Sequence, residues 1–174
     1  MKRRSVINML RDCLIISHNR IAELQGWVQN RNMLYHTSPA KIEKASTGRF
    51  GNFIFFSSRA YAMSAGDVVV YSFDDSPWAS IEARAIFHHE DAAKLGELVA
   101  EFCDRFNVSE EAAEDAISER IQLDLNADDS WEVQAFTARA ASILGYSIVT
   151  VSDEHGAAYM VDISEHFDDM KIQG

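Results

Sequence analysis

Proline is nearly missing from this chain of 174 residues, which holds only Pro39 and Pro77, so no Pro-rich linker divides it. Cysteine is as scarce. Cys13 and Cys103 lie far apart, which excludes a disulfide scaffold and any CxxC zinc cluster, and both are expected as reduced thiols. No apolar run approaches the ~18 residues that a membrane-spanning helix needs, so no membrane role is expected. The start, MKRRSVINML, has the basic head of a secretory leader. Arg11 and Asp12 break its apolar stretch and no small-residue cleavage site follows, so a cytoplasmic protein is expected. Cations are also short: 16 Lys and Arg against 27 Asp and Glu give a formal charge of −11. That excludes a duplex binder relying on phosphate neutralisation and predicts no direct nucleic-acid contact, while leaving a basic or nucleic-acid-loaded protein as partner. Several catalytic signatures are absent as well. There is no GxSxG elbow, no GxxxxGK[ST] loop and no HExxH, and Gly48 and Gly51 do not make GxGxxG, so a Rossmann cofactor site is not expected.

What is present suffices for a core, since hydrophobic residues make up 47% of the chain. Residues 4–32 carry an amphipathic helical pattern through Val6, Leu10, Cys13, Leu14, Ile21, Leu24 and Val28, as one helix or as two broken near Ser17–Asn19. With Trp27 near its end, this apolar face is expected to pack, within the chain or in self-association. Strands are expected at 33–36, 53–56, 68–73, 147–151 and 158–163, the last two joined as a hairpin through Asp153-Glu154-His155-Gly156. A short helix is expected over 58–65. Longer ones are expected near 89–106, 109–124 and 128–144, with Ser109 as N-cap and Gly145 just past a C-terminus. Helices and strands are segregated, which predicts an α+β fold rather than a doubly wound sheet.

Four patches carry possible chemistry. Tyr35-His36-Thr37-Ser38 gathers a His and two hydroxyls at a strand end, where a polar terminus is the plain alternative. Phe50, Phe53, Phe55 and Phe56 make either a stacking platform or a core strand, and alternation turns Phe53 and Phe55 to one face and Phe56 to the other. Asp153 and Glu154 supply carboxylates at a hairpin, or simply form a solvated turn. His88-His89-Glu90 offers metal-capable side chains, but neighbours on one element point apart, so no metal site is expected there.

The first three patches, with their spacing, resemble the ADP-ribosyltransferase superfamily. Tyr35-His36-Thr37-Ser38, then Gly48 to Ser57 (GRFGNFIFFS), then Tyr61-Ala62-Met63 are similar to its His strand, its glycine-led aromatic strand and its helical Tyr. A closer resemblance is to the anti-CRISPR mono-ADP-ribosyltransferase family acting on type I-F systems. It runs through His36–Pro39, Gly48–Gly51, Met63–Asp67, Ser130–Ala135 and Asp153–Asp162, covering roughly 34–164. The resemblance implies an ADP-ribosyltransferase-like split β-sheet core over 34–174, with a helical middle and an N-terminal helical extension at 1–33. It implies NAD as co-substrate, with no metal. His36, Tyr61 and either Asp153 or Glu154 would be catalytic. Thr37, Ser38, Gly48, Arg49, Phe50, Gly51, Phe55 and Ser57 would hold the cofactor. Thr37 stands where the superfamily often has Gly, and no Glu-x-Glu motif closes the set. The implied target is a protein of the CRISPR surveillance complex, its PAM-reading subunit, modified in the host bacterial cytoplasm.

Two other functions fit the same residues. An NAD glycohydrolase would share the site with water as acceptor. A non-catalytic acidic binder, acting as a DNA mimic does, would use the stretch Glu101–Glu132, where eleven acidic residues face two basic ones.

Overall fold

The computed structural model describes residues 33–43, 50–60, 68–153, 156–164 and 166–173. The helix expected over 4–32 lies outside these. So do most of the short helix expected over 58–65, and Tyr61, Glu154, Gly48 and Arg49. Ser58–Ala60, the described part of that helix, is not helical.

Among the described residues, seven strands form one sheet: β1 (Met33–Ser38), β2 (Phe53–Ser57), β3 (Val69–Asp74), β4 (Ser80–Glu82), β5 (Ile148–Asp153), β6 (Gly156–Asp162) and β7 (Lys171–Gln173). Their order is β4-β5-β6-β2-β1-β3-β7. β5 and β6 are the expected hairpin, in antiparallel register from Ile148↔Val161 to Asp153↔Gly156. β2 pairs with β6 over five residues, and β4 lies parallel to β5. At the join of β1 and β2, Tyr35 stands opposite Ser57. With the helices gathered between β4 and β5, the described residues form the expected α+β fold.

The helical middle is α1 (Gly96–Phe106), α2 (Glu110–Ile117) and α3 (Ala127–Ile143), preceded by 3₁₀ turns at Ala83–His88 and Ala92–Leu95. Ser109 caps α2 as expected, accepting from the Ala112 N–H at 3.3 Å, with Glu110 and Glu111 in the first turn against the helix dipole. Asn126 caps α3 in the same way, accepting from the Asp129 N–H at 3.0 Å. Two helices are shorter than expected. The first begins at Gly96 rather than near 89, since two tight turns come before it. The second stops at Ile117 rather than near 124. Arg120 N–H bonds the Asp115 carbonyl and Glu119 N–H the Ala116 carbonyl, the double bond of a Schellman end. Glu119 takes the left-handed position there, with φ +55°.

The sheet is buried on both faces. Phe53, Val149, Val151 and Met160 pack with Ile86, Leu95, Phe102, Ile117 and Phe136 under the helices. Leu34, Phe56, Phe73, Ile148, Val161 and Ile163 form a second core. The alternation expected along β2 is therefore observed: Phe53 and Phe55 join the helical side and Phe56 the other. In the helical layer, Thr137 is buried and its hydroxyl donates to the Ile117 carbonyl at 2.7 Å, satisfying the end of α2. Among the described residues, no helix is long and apolar enough to cross a membrane.

Candidate active site

β5 ends at Asp153, and this end meets the first turns of α3 over the helical face of the sheet. Between them lies a cleft of about 310 Å³ lined by Phe50, Phe55, Trp131, Gln134, Ser152 and Asp153, with Phe56, Val151 and Ala158. Three of the expected site residues, Phe50, Phe55 and Asp153, thus share one cleft. Phe50 comes from the turn before β2. Phe53 N–H bonds the Phe50 carbonyl at 3.2 Å, and Gly51 sits inside that turn at φ +63°, which glycine adopts without strain. Phe50 meets Phe55 edge to face at 4.9 Å. Trp131 meets Phe50 at 5.5 Å and Phe55 at 6.2 Å in the same manner. The result is an aromatic wall in a cleft that also has a carboxylate in its lining, suited to a flat, positively charged ring.

His36 adjoins this cleft without lining it. Its Nδ1–H donates to the Phe55 carbonyl at 2.7 Å, so the link runs from β1 into the strand that carries Phe55. A carbonyl only accepts, so Nδ1 carries the proton, and in the neutral ring Nε2 is left as an acceptor. Burial holds the His36 pKa below its ordinary 6.5, against a smaller opposite effect of that hydrogen bond. The ring is 5.8 Å from Phe56 and 6.3 Å from Tyr71. Tyr71 in turn accepts the Ile42 N–H at 2.7 Å, which ties the chain after β1 to β3. Two strands separate β1 from β5, so their backbones lie about 14 Å apart at ordinary strand spacing.

The hydroxyls at the expected cofactor positions have local uses. Ser57 is buried, and its hydroxyl bonds the Arg59 carbonyl. Ser38 Oγ accepts the Ala40 N–H at 3.4 Å. Thr37 lies on β1 beside His36. Tyr61, Glu154, Gly48 and Arg49 lie outside the described residues. In the His88-His89-Glu90 patch, His89 Nδ1 accepts the Asp91 N–H at 3.1 Å and its ring meets Tyr146 edge-on. Among the described residues, no group of three His, Cys, Asp or Glu is placed to hold a metal.

Three features of the site have no local signal in the sequence. Trp131 and Gln134 are one helical turn apart on α3 and so share a face. Their segment was similar to the family in sequence, but only the packing of α3 on the sheet brings it to the cleft. The third is Glu119. Its Oε2 accepts the Ser152 N–H at 2.7 Å, next to Asp153, so the left-handed residue that ends α2 also holds the end of β5. Burial raises the Glu119 pKa, with hydrogen bonds from Ser152 and the charge of Arg84 opposing. A second, more polar cleft of about 370 Å³ opens on this side and shares Gln134 and Ser152 with the first.

The family model described as anti-CRISPR type I-F ADP-ribosyltransferase AcrIF11 matches residues 32–167. Among solved structures, the chain is similar to one described as the crystal structure of an anti-CRISPR protein. The two share 22% identity at a TM-score of 0.50, over 74% of this chain and 88% of that one. Likeness at that identity speaks for the fold. No curated protein matches the chain.

Proposed function

The chain belongs to the type I-F anti-CRISPR ADP-ribosyltransferase family, and from this premise we propose that it moves one ADP-ribose unit from NAD to the PAM-recognition subunit of a CRISPR surveillance complex, in the host bacterial cytoplasm. ADP-ribosyltransferase activity and NAD as co-substrate come with the family. The finer reading concerns the site. One observation carries it: Asp153 and the wall of Phe50, Phe55 and Trp131 line one cleft.

The chemistry follows from that pairing. The bond between the ribose anomeric carbon and the nicotinamide nitrogen breaks, and its electron pair leaves with the ring, which becomes neutral. Positive charge shifts onto the ribose as an oxocarbenium. Asp153 stabilises that charge, an interaction stronger in the transition state than in the ground state. The acceptor nucleophile then bonds to the anomeric carbon and gives up a proton. The aromatic wall holds the ring, and the neutral His36, with Nε2 as acceptor, accepts a hydrogen bond from a ribose hydroxyl. Tyr61, Glu154, Thr37, Ser38, Ser57 and the Gly48–Gly51 turn with Arg49 complete the set by resemblance. Transfer to a DNA-reading surface adds a bulky anionic diphosphate there, which repels DNA. A transferase unit at 34–174 with an added segment at 1–33 fits a family match that begins at residue 32.

The test is mass spectrometry of the target after incubation with NAD. The expected result is a gain of one ADP-ribose, lost in Asp153→Asn. Free ADP-ribose without modified protein would mean a glycohydrolase. Inhibition of the complex in the complete absence of NAD would favour the non-catalytic acidic binder. A folded His36→Ala protein with full NAD activity would remove His36 from the site.

A further inference from the structure

We infer that Gln134 is the specificity-determining residue for the base end of the dinucleotide, accepting a hydrogen bond from the carboxamide of nicotinamide; this rests on the reading of the Asp153 cleft as the NAD site. Gln134 lines this cleft and the polar one beside it, and its Oε1 is buried with no hydrogen-bond partner among the described residues. It is the single buried side-chain oxygen or nitrogen in that condition among them. The other buried polar side chains there are satisfied. Thr137 bonds the Ile117 carbonyl, Ser118 the Glu114 carbonyl, Ser57 the Arg59 carbonyl and Ser72 the Gln173 side chain. An orphaned buried acceptor is costly, and an N–H arriving with a ligand would satisfy it.

The surroundings say what that partner carries. Phe50, Phe55 and Trp131 form the adjacent wall and offer a ring a place to lie. Trp131 precedes Gln134 by three residues on α3, so a ring held by the indole places its substituent within reach of the amide. The lone pairs of Oε1 need an N–H. The carboxamide of nicotinamide provides one. The carboxylate of the deamido form, nicotinic acid adenine dinucleotide, provides none and sets an anion against Oε1, in a cleft that already holds Asp153. A site built around a hydrogen bond rejects the analogue lacking it far more strongly than a greasy pocket rejects a change of size.

The experiment compares release of the free base from NAD and from nicotinic acid adenine dinucleotide by the full chain, in wild type and in Gln134→Leu. Wild type is expected to prefer NAD by about 100-fold or more in kcat/KM. Gln134→Leu is expected to bring the two within about tenfold, through loss on NAD, with a melting temperature no lower than wild type, because an orphan acceptor has been replaced by an apolar side chain. Gln134→Met, unbranched, repeats the test should Leu not pack. Unchanged selectivity together with a lowered melting temperature overturns the inference and makes Gln134 a structural residue. A wild-type preference for the deamido form overturns it too, since the amide would then present its NH₂. A wild-type protein that neither cleaves nor binds NAD removes the parent reading as well, which separates the two failures.

Discussion

Trp131 offers the sharpest check on the cleft, because its two expected roles differ in size. It is 42% exposed, and among the described residues its ring meets Phe50 and Phe55 edge to face. Such pairs contribute about 0.5–1.5 kcal/mol each when buried, so a half-exposed ring should lose about 1 kcal/mol in total on truncation to Ala. In a domain of this size that shifts the melting temperature by about 2–4 °C. Stacking of a heteroaromatic ring on an aromatic side chain is worth about 1–3 kcal/mol, which is roughly 5- to 150-fold in affinity. Trp131→Ala should therefore weaken NAD binding far more than it weakens the fold, and Trp131→Phe should recover most of the loss. Calorimetric titration with NAD beside a thermal melt reads both quantities. An affinity for NAD within twofold of wild type would falsify the stacking role. A stability loss above about 3 kcal/mol would show instead that the indole belongs to the core.

Three further outcomes are expected. The pKa of His36 is lower in the folded protein than its ordinary 6.5, so the unfolded chain binds more protons between the two values and stability falls as pH drops below that value; melting curves of His36→Gln should show a shallower acid decline, and an unchanged slope would contradict the burial of this ring. Glu119 has the opposite sign: its raised pKa means the folded state holds more protons above the ordinary 4.5, and stability falls as pH rises through that window. Glu119→Gln keeps an acceptor for Ser152 N–H and should melt no lower than wild type at pH 7.5, the difference fading at low pH; a loss confined to neutral pH would mean that the attraction of Arg84 outweighs burial. Phe102 is fully buried and meets Phe106 at 4.5 Å and Phe136 at 5.0 Å, so Phe102→Ala should cost about 3–5 kcal/mol in denaturant unfolding, and a cost below about 1 kcal/mol would contradict the packing of α1 on α3.

Local rules explain which parts were legible. Ser109 followed by two glutamates marks a helix start wherever the helix lies, and the two faces of Phe53, Phe55 and Phe56 follow from strand alternation alone. Asp153 was legible as a candidate because a hairpin turn and a family resemblance met there. β4 was not, since Ser80–Glu82 is three residues long and pairs in parallel with β5, more than sixty residues away. No local signal announces such a partner. The end of α2 was missed because Glu119 occupies the left-handed position where glycine is the usual sign. Its compensation, the bond to Ser152, is a contact between distant segments. Trp131 and Gln134 escaped for the same reason: a Trp and a Gln one turn apart on a helix look like an ordinary face until the sheet is set beneath them.

The double burial of β2 has a consequence for how this protein can change over generations. Phe55 packs against the helical-side core and Phe56 belongs to the opposite core. Inserting or deleting one residue between Phe53 and Ser57 would exchange the two and empty both sides at once. That strand is closed to length variation and can drift only by substitution. New preferences for dinucleotide or target have to be sought at its borders, in the Gly51 turn and the opening turns of α3, which bring Phe50, Trp131 and Gln134 to the cleft.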